Sequence, residues 1–149
     1  MDQNVTLMIS GLHTESKIED NGGDEEIQTV VPAEYFYRGD AHYVLYEESS
    51  ESCEESTRSR IKFKNGVLEL TRKGFIDTRM VFEEGRQHES CYVMPYGRFI
   101  MGIDTKKITF EEAADSIRIT VEYALEMNGL HQADSRIAIV IKENKRAAV

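Results

Sequence analysis

The sequence predicts an all-β protein, an antiparallel up-and-down barrel of about eight to ten strands, with residues 1–149 forming one domain. Three observations lead there. Apolar and polar residues alternate with a period of two in several stretches. Asn-Gly and other glycine-containing turns punctuate those stretches at intervals of about eight to twelve residues. Apolar residues at helical spacing are hard to find anywhere. Consecutive hairpins favour a meander, and closing a meander removes the exposed edges that invite aggregation.

The elements follow in order. The N-terminal VTLMISGLHTESKIE alternates loosely and meets DNGGDEE, an acidic, glycine-rich turn. AEYFYRGDAHYVLYEE reads as two aromatic strands joined by Arg38-Gly39-Asp40. RIKFKNGVLELTR holds Asn65-Gly66, the strongest short hairpin signal, because both residues tolerate positive φ in a type I′ turn. DTRMVFEEGRQHESCYV turns near Glu84-Gly85. In CYVMPYGRFIMGIDTKKITF, Pro95-Tyr96-Gly97 redirects the wall, with Tyr96 expected to cover the corner and Phe99, Met101 and Ile103 sharing the next face. FEEAADS, Phe110 to Ser116, is long enough for one helical turn. IRITVEYALEM is the clearest strand: Ile117, Ile119, Val121, Tyr123, Leu125 and Met127 share one parity. RIAIVIKEN resumes the alternation after Asn128-Gly129. Pro32 and Pro95 are expected at edges or bulges.

Composition narrows the function classes. Acidic residues outnumber basic ones by 27 to 18, a formal net charge of -9. Lys and Arg read as scattered, so neither a nucleic acid nor an anionic membrane is expected as a partner. The opening MDQNVTLMIS has no basic n-region or apolar h-region, and no apolar run approaches a membrane span. A cytoplasmic protein is expected, with Cys53 and Cys91 as free thiols.

Catalytic signatures are absent: there is no GxSxG, no phosphate loop and no HExxH. His13, His42, His88 and His131 are widely separated, so no metal or other cofactor is expected. The acidic run from Glu47 to Glu55 reads as a solvated loop, since like charges repel and the spacing fits no calcium loop. Arg72 stands out. It shares parity with Leu68 and Leu70 and should point inward, where a guanidinium is costly unless paired. It could meet an internal carboxylate, lie at the barrel mouth, or hold the anionic head of an amphipathic ligand with Tyr92 or Tyr123 as hydroxyl partners.

Several of these residues also fall into one pattern. Arg72 with Gly74, Met80-x-Phe82-x-x-Gly85, Tyr92, Pro95-Tyr96-Gly97-x-Phe99, Thr105, and an Ile117-x-Ile119-x-x-x-Tyr123 strand ending near Leu125 resemble the YwiB-like bacterial family, a domain of unknown function. The resemblance implies a calycin-like (lipocalin-like) β-barrel and no catalytic residues. Met94 stands where the resemblance leads one to expect threonine, which weakens any polar role there. Two classes of function remain. One is a binding module for a small amphipathic or anionic ligand, lined by Arg72, Tyr92, Tyr123 and the adaptable Met80 and Met127. The other is a filled barrel that meets a protein partner through its acidic loops or an edge. An enzyme ranks third.

Overall fold

The alternating stretches become strands of a single sheet. The computed structural model describes residues 3–11, 28–49, 56–74, 77–127 and 129–144, with the side chains of Ser49, Ser56, Tyr92 and Met94 outside that description. Among the described residues there are ten strands: β1 (Asn4–Ser10), β2 (Gln28–Arg38), β3 (Ala41–Ser49), β4 (Ser56–Lys64), β5 (Val67–Gly74), β6 (Thr78–Glu83), β7 (Gln87–Met94), β8 (Gly97–Glu112), β9 (Ser116–Met127) and β10 (Leu130–Glu143). No helix occurs among them. All pairs are antiparallel, in the order β6-β5-β4-β3-β2-β1-β10-β9-β8-β7.

That order is a meander in which β1 pairs with β10, leaving β6 and β7 at the two margins of the sheet. These consecutive strands almost close the barrel without a ladder. One bridge joins Asp77 to Val93, each N–H donating to the other's carbonyl at 3.0 and 2.8 Å. The Gly85 N–H donates to the Thr105 carbonyl of β8 at 2.9 Å. Between these anchors, side chains replace backbone bonds. Ser90 Oγ donates to the Arg79 carbonyl at 2.6 Å and lies 3.2 Å from Thr78 Oγ1. His88 Nε2 lies 3.1 Å from Glu83 Oε1.

The turn chemistry follows the backbone. Asn65 and Gly66 both take positive φ, as do Gly39 and Asp40, which gives each two-residue hairpin the twist its strands need. Pro32 sits in the half of β2 that has β1 as neighbour but no β3 partner, so its missing N–H breaks no second ladder. Two expectations fail. FEEAADS is not helical: β8 runs on to Glu112, and Ala113 N–H donates to the Ser116 carbonyl across a tight β8–β9 turn. Tyr96 covers no corner. It is 72% exposed, because the β7–β8 hairpin tip has no neighbouring strand to pack against.

The interior holds the β9 face predicted from parity. Ile117, Ile119, Val121 and Tyr123 of β9 are buried with Val5, Leu7, Ile61, Leu68, Met80, Phe82, Ile103, Ile137, Ile139 and Ile141. Leu125 and Met127 are partly buried against them. β8 changes parity along its length. Met101, Ile103 and Thr105 face inward, the register shifts between Thr105 and Lys107, and Ile108 and Phe110 then take the inward positions. An extra residue in one strand flips every side chain beyond it.

Val121 is fully buried and Thr120 points outward between Thr109 and Ala138. Val121→Asp should prevent folding, because it strands a charge among apolar neighbours, whereas Thr120→Asp should cost under about 1 kcal/mol. Circular dichroism with thermal unfolding of both variants checks this. Equal losses would contradict the assigned faces.

Candidate functional site

Polar groups are rare in the barrel, and five of them line up. Strand register sets Tyr46 (β3) beside Ser59 (β4), Ser59 beside Arg72 (β5), and Arg72 beside Thr78 (β6). The Thr78 hydroxyl then meets Ser90 of β7 across the seam. All five are buried on the inner face. The row lies toward the barrel end from which residues 12–27, 50–55 and 75–76 connect the strands, hereafter the loop end.

Arg72 is 2% exposed and stands among the largest fully buried side chains. Its Nη2 lies 4.0 Å from Glu48 Oε2, the limit of an ion pair and beyond hydrogen-bond length. Among the described residues, Nε and Nη2 have no hydrogen-bond partner, and the same holds for the Tyr46 hydroxyl and Ser59 Oγ. The guanidinium and the serine are close enough to influence the tyrosine's proton, but not in bonding geometry. Orphaned buried donors cost about 1–3 kcal/mol each, more when charged. Four such atoms in one place form a cradle in which every group can donate and none is paired.

Burial pushes the Tyr46 hydroxyl up to about 12, with the Glu48 charge adding to the rise and Arg72 opposing it. At neutral pH this group is a donor, neither a base nor a nucleophile. Glu48 is the inward neighbour of Tyr46 along β3, and Glu47 faces Arg58 on the outer wall at 3.9 Å. The acidic run therefore does not begin as a loop. Its first residues complete β3, because each glutamate finds a cation on its own face of the sheet.

The other candidate residues are placed as follows. Met80 is buried on β6, paired with Leu70 and inward like Arg72. Met127 is partly buried at the loop end, paired with Met101. Tyr123 is buried. Its pKa is raised by burial, a Ser135 hydrogen bond acts in the opposite direction, and its ring meets Phe82 edge-on at 5.1 Å. Tyr92 pairs with Phe99 on β7, and its side chain is outside the described part. The hydroxyls beside Arg72 are those of Tyr46 and Ser59, which parity alone could have nominated: Tyr46 alternates with Val44, and Ser59 with Ile61. His13, Cys53, Asn128, Lys145-Arg146, residues 50–55 of the acidic run and the turn at 20–26 lie outside the described residues; Cys91 is an exposed free thiol.

The model of a family described as a domain of unknown function, DUF1934, matches residues 12–139. The chain belongs to this family. Within the DUF1934 fold, the chain is similar to the uncharacterized β-barrel protein YwiB of Bacillus subtilis (strain 168), at 25% identity over 116 residues, 78% of this chain and 80% of that protein. The crystal structure of the ywiB protein from Bacillus subtilis matches with a TM-score of 0.77 and 21% identity, covering 96% of this chain and 93% of that one. The likeness concerns the barrel. What this DUF1934 chain does must be argued from its own side chains.

The outer wall carries a feature the sequence reading passed over. Arg58, Arg60, Lys62 and Lys64 alternate along β4 and share its outward face, so the cations are not scattered there. Arg60 and Lys62 both lie over the Tyr43 ring, at 5.9 and 5.8 Å. An open groove of about 580 Å³ runs beside them, lined by Glu34, Glu47, Arg58, Arg60 and Lys73 among others. Glutamates interleave the stripe: Glu47 pairs with Arg58, and Glu69 lies 4.0 Å from Arg60 and 3.4 Å from Arg79.

The Tyr46 environment sets an alkaline limit. The folded state keeps this proton up to about pH 12, whereas the unfolded chain releases it near pH 10. The stabilisation is thus full below about pH 10 and is lost as the pH rises toward 12, on the order of 2–3 kcal/mol in all. Tyr46→Phe should flatten that slope in urea unfolding measured between pH 9 and 11. An unchanged slope would contradict the assignment.

Proposed function

We propose that the protein is a cytoplasmic, non-enzymatic binding module that takes a small amphipathic anion at the loop end of its barrel. Arg72 binds the carboxylate head, Tyr46 and Ser59 donate to it, and the tail lies along Met80 and Met127. The observation that carries this reading is the pair of Arg72 nitrogens, buried and without a hydrogen-bond partner. A carboxylate accepts two parallel N–H bonds from a guanidinium fork and has lone pairs left for two hydroxyls. Glu48 supplies a charge at 4.0 Å that balances Arg72 but does not satisfy its donors. A binder fits better than an enzyme because the gathered groups are donors, and burial holds Tyr46 un-ionised at neutral pH.

One observation favours the rival, a filled barrel with a purely structural arginine. The interior is occupied by a continuous apolar cluster, and Glu48 is already within ion-pair range. Arg72→Leu separates the two. Glu48 is 27% exposed and returns to water when the cation goes, so the variant should be as stable as wild type or more so. Under the binding reading, wild type shows a thermal shift with medium-chain fatty acids or anionic metabolites, and Arg72→Leu shows none. A variant destabilised by roughly 3–5 kcal/mol, with no shift for any anion in wild type, would leave Arg72 structural.

The proposal includes neither nucleic acid nor membrane as a partner. The net charge is -9, and the β4 stripe is interrupted by Glu47 and Glu69. Charged outward residues such as Arg58, Arg118 and Glu122 would be costly against lipid. Fluorescence anisotropy with generic duplex DNA at physiological salt should show no binding. Saturable binding that weakens steeply with salt would count against this part.

A further inference from the structure

The opposite end of the barrel holds a second constellation, independent of Arg72. An open cleft of about 460 Å³ is lined by Gln3, Tyr35, Tyr37, His42 and Glu112. Four strands or their flanks supply it. Tyr35 and Tyr37 alternate along β2, and His42 stands opposite Tyr37 on β3. Glu112 ends β8. It continues the parity of Ile108 and Phe110, so the register shift at Thr105/Lys107 is what turns it toward the cleft.

Aromatic rings pack against one another in the walls. Phe63 and Phe110 stack in parallel at 4.7 Å, beneath His42 at 6.5 and 5.3 Å from their centres. The Tyr37 ring lies 4.8 Å from His42. The Tyr35 hydroxyl and His42 Nδ1 are 2.7 Å apart, which locks the imidazole. Glu112 forms no ion pair among the described residues. Burial lowers the His42 pKa even against the pull of Glu112, so the ring is neutral at pH 7 and does not cancel the carboxylate. Burial raises the Tyr35 pKa, and the Glu112 carboxylate adds to the rise.

We infer that this cleft binds a methylated ammonium cation, seated against the exposed Tyr37 ring where it packs on His42 and neutralised by Glu112. Ring faces attract cations through their quadrupole, and quaternary ammonium groups fit such cages because they need no hydrogen-bond acceptors. A compact, hydrated ammonium would lose more water than these rings replace. An anion would be repelled by Glu112. The same head group could arrive on a free small molecule or on a trimethylated lysine of a peptide.

NMR titration of the wild-type protein with choline tests this, alongside 3,3-dimethylbutan-1-ol, its neutral isostere, and a short trimethyllysine peptide. Choline should bind saturably with a Kd in about the millimolar range, shifting His42 ring resonances, and the isostere at least about tenfold more weakly. Glu112→Gln and Tyr37→Ala change exposed side chains and should keep the fold. They should weaken choline by about tenfold and about three- to tenfold. A peptide tighter than choline assigns the cation to a protein tail; equal affinity assigns it to a free ligand. Equal binding of choline and the isostere, or no saturable binding by either cation, overturns the inference. Arg72→Leu must leave choline affinity unchanged, so this result stands or falls apart from the anion reading.

Discussion

A full positive charge inside a β-barrel is the constraint around which the loop end is built. Moving a guanidinium out of water costs several kcal/mol even after relaxation, and only close, well-directed acceptors repay it. Among the described residues, Arg72 Nε and Nη2 have none in bonding geometry. A carboxylate lies at the limit of an ion pair, and the neighbouring hydroxyls of Tyr46 and Ser59 can also serve as donors. A leucine at the same inward position of β5, following Leu68 and Leu70, would extend the apolar core at no electrostatic cost. The proposed anion would supply the acceptor that Nε and Nη2 lack.

The same row solves a second problem. A meander whose first and last strands pair must still close somewhere, and here the opening falls between consecutive strands β6 and β7. Unpaired strand margins are a liability. Thr78 and Ser90, the last two members of the polar row, span the opening with their hydroxyls, and Ser90 also caps a backbone carbonyl that no ladder reaches. The row that carries Arg72 is thus also part of the seam's fastening. The proposed anion site at Arg72 and the seam are adjacent in the structure.

How much of this was legible in the sequence depended on whether the information was local. Parity over eleven residues of β9 fixed a buried face, because one side of that strand meets mostly apolar neighbours. Asn65-Gly66 announced its turn through positive φ, a property of those two residues alone. Arg72 was visible as an inward charge for the same reason. Parity also marks Tyr46 and Ser59 as inward, but their place beside Arg72 was hidden, since it is set by register across two strand pairs. The parity change in β8 was equally hidden. Nothing in GIDTKKITF marks which lysine is the extra residue, yet that one position decides that Phe110 and Glu112 share the cleft with His42. The β4 stripe was legible and overlooked: its cations alternate with Ser59, Ile61 and Phe63, the same period two that revealed the core.

The central claim is that the Arg72 Nε and Nη2 donors await an external acceptor, and the side chain itself can report this. Nitrogen-15 NMR of the Arg72 Nε–H, assigned by its loss in Arg72→Leu, should be followed while a medium-chain fatty acid is titrated into wild-type protein. The account predicts a saturable downfield proton shift and slowed exchange of that one arginine signal, as the N–H gains a carboxylate partner. An Arg72 signal already shifted and protected in the ligand-free protein, and unmoved by any carboxylate, would contradict it.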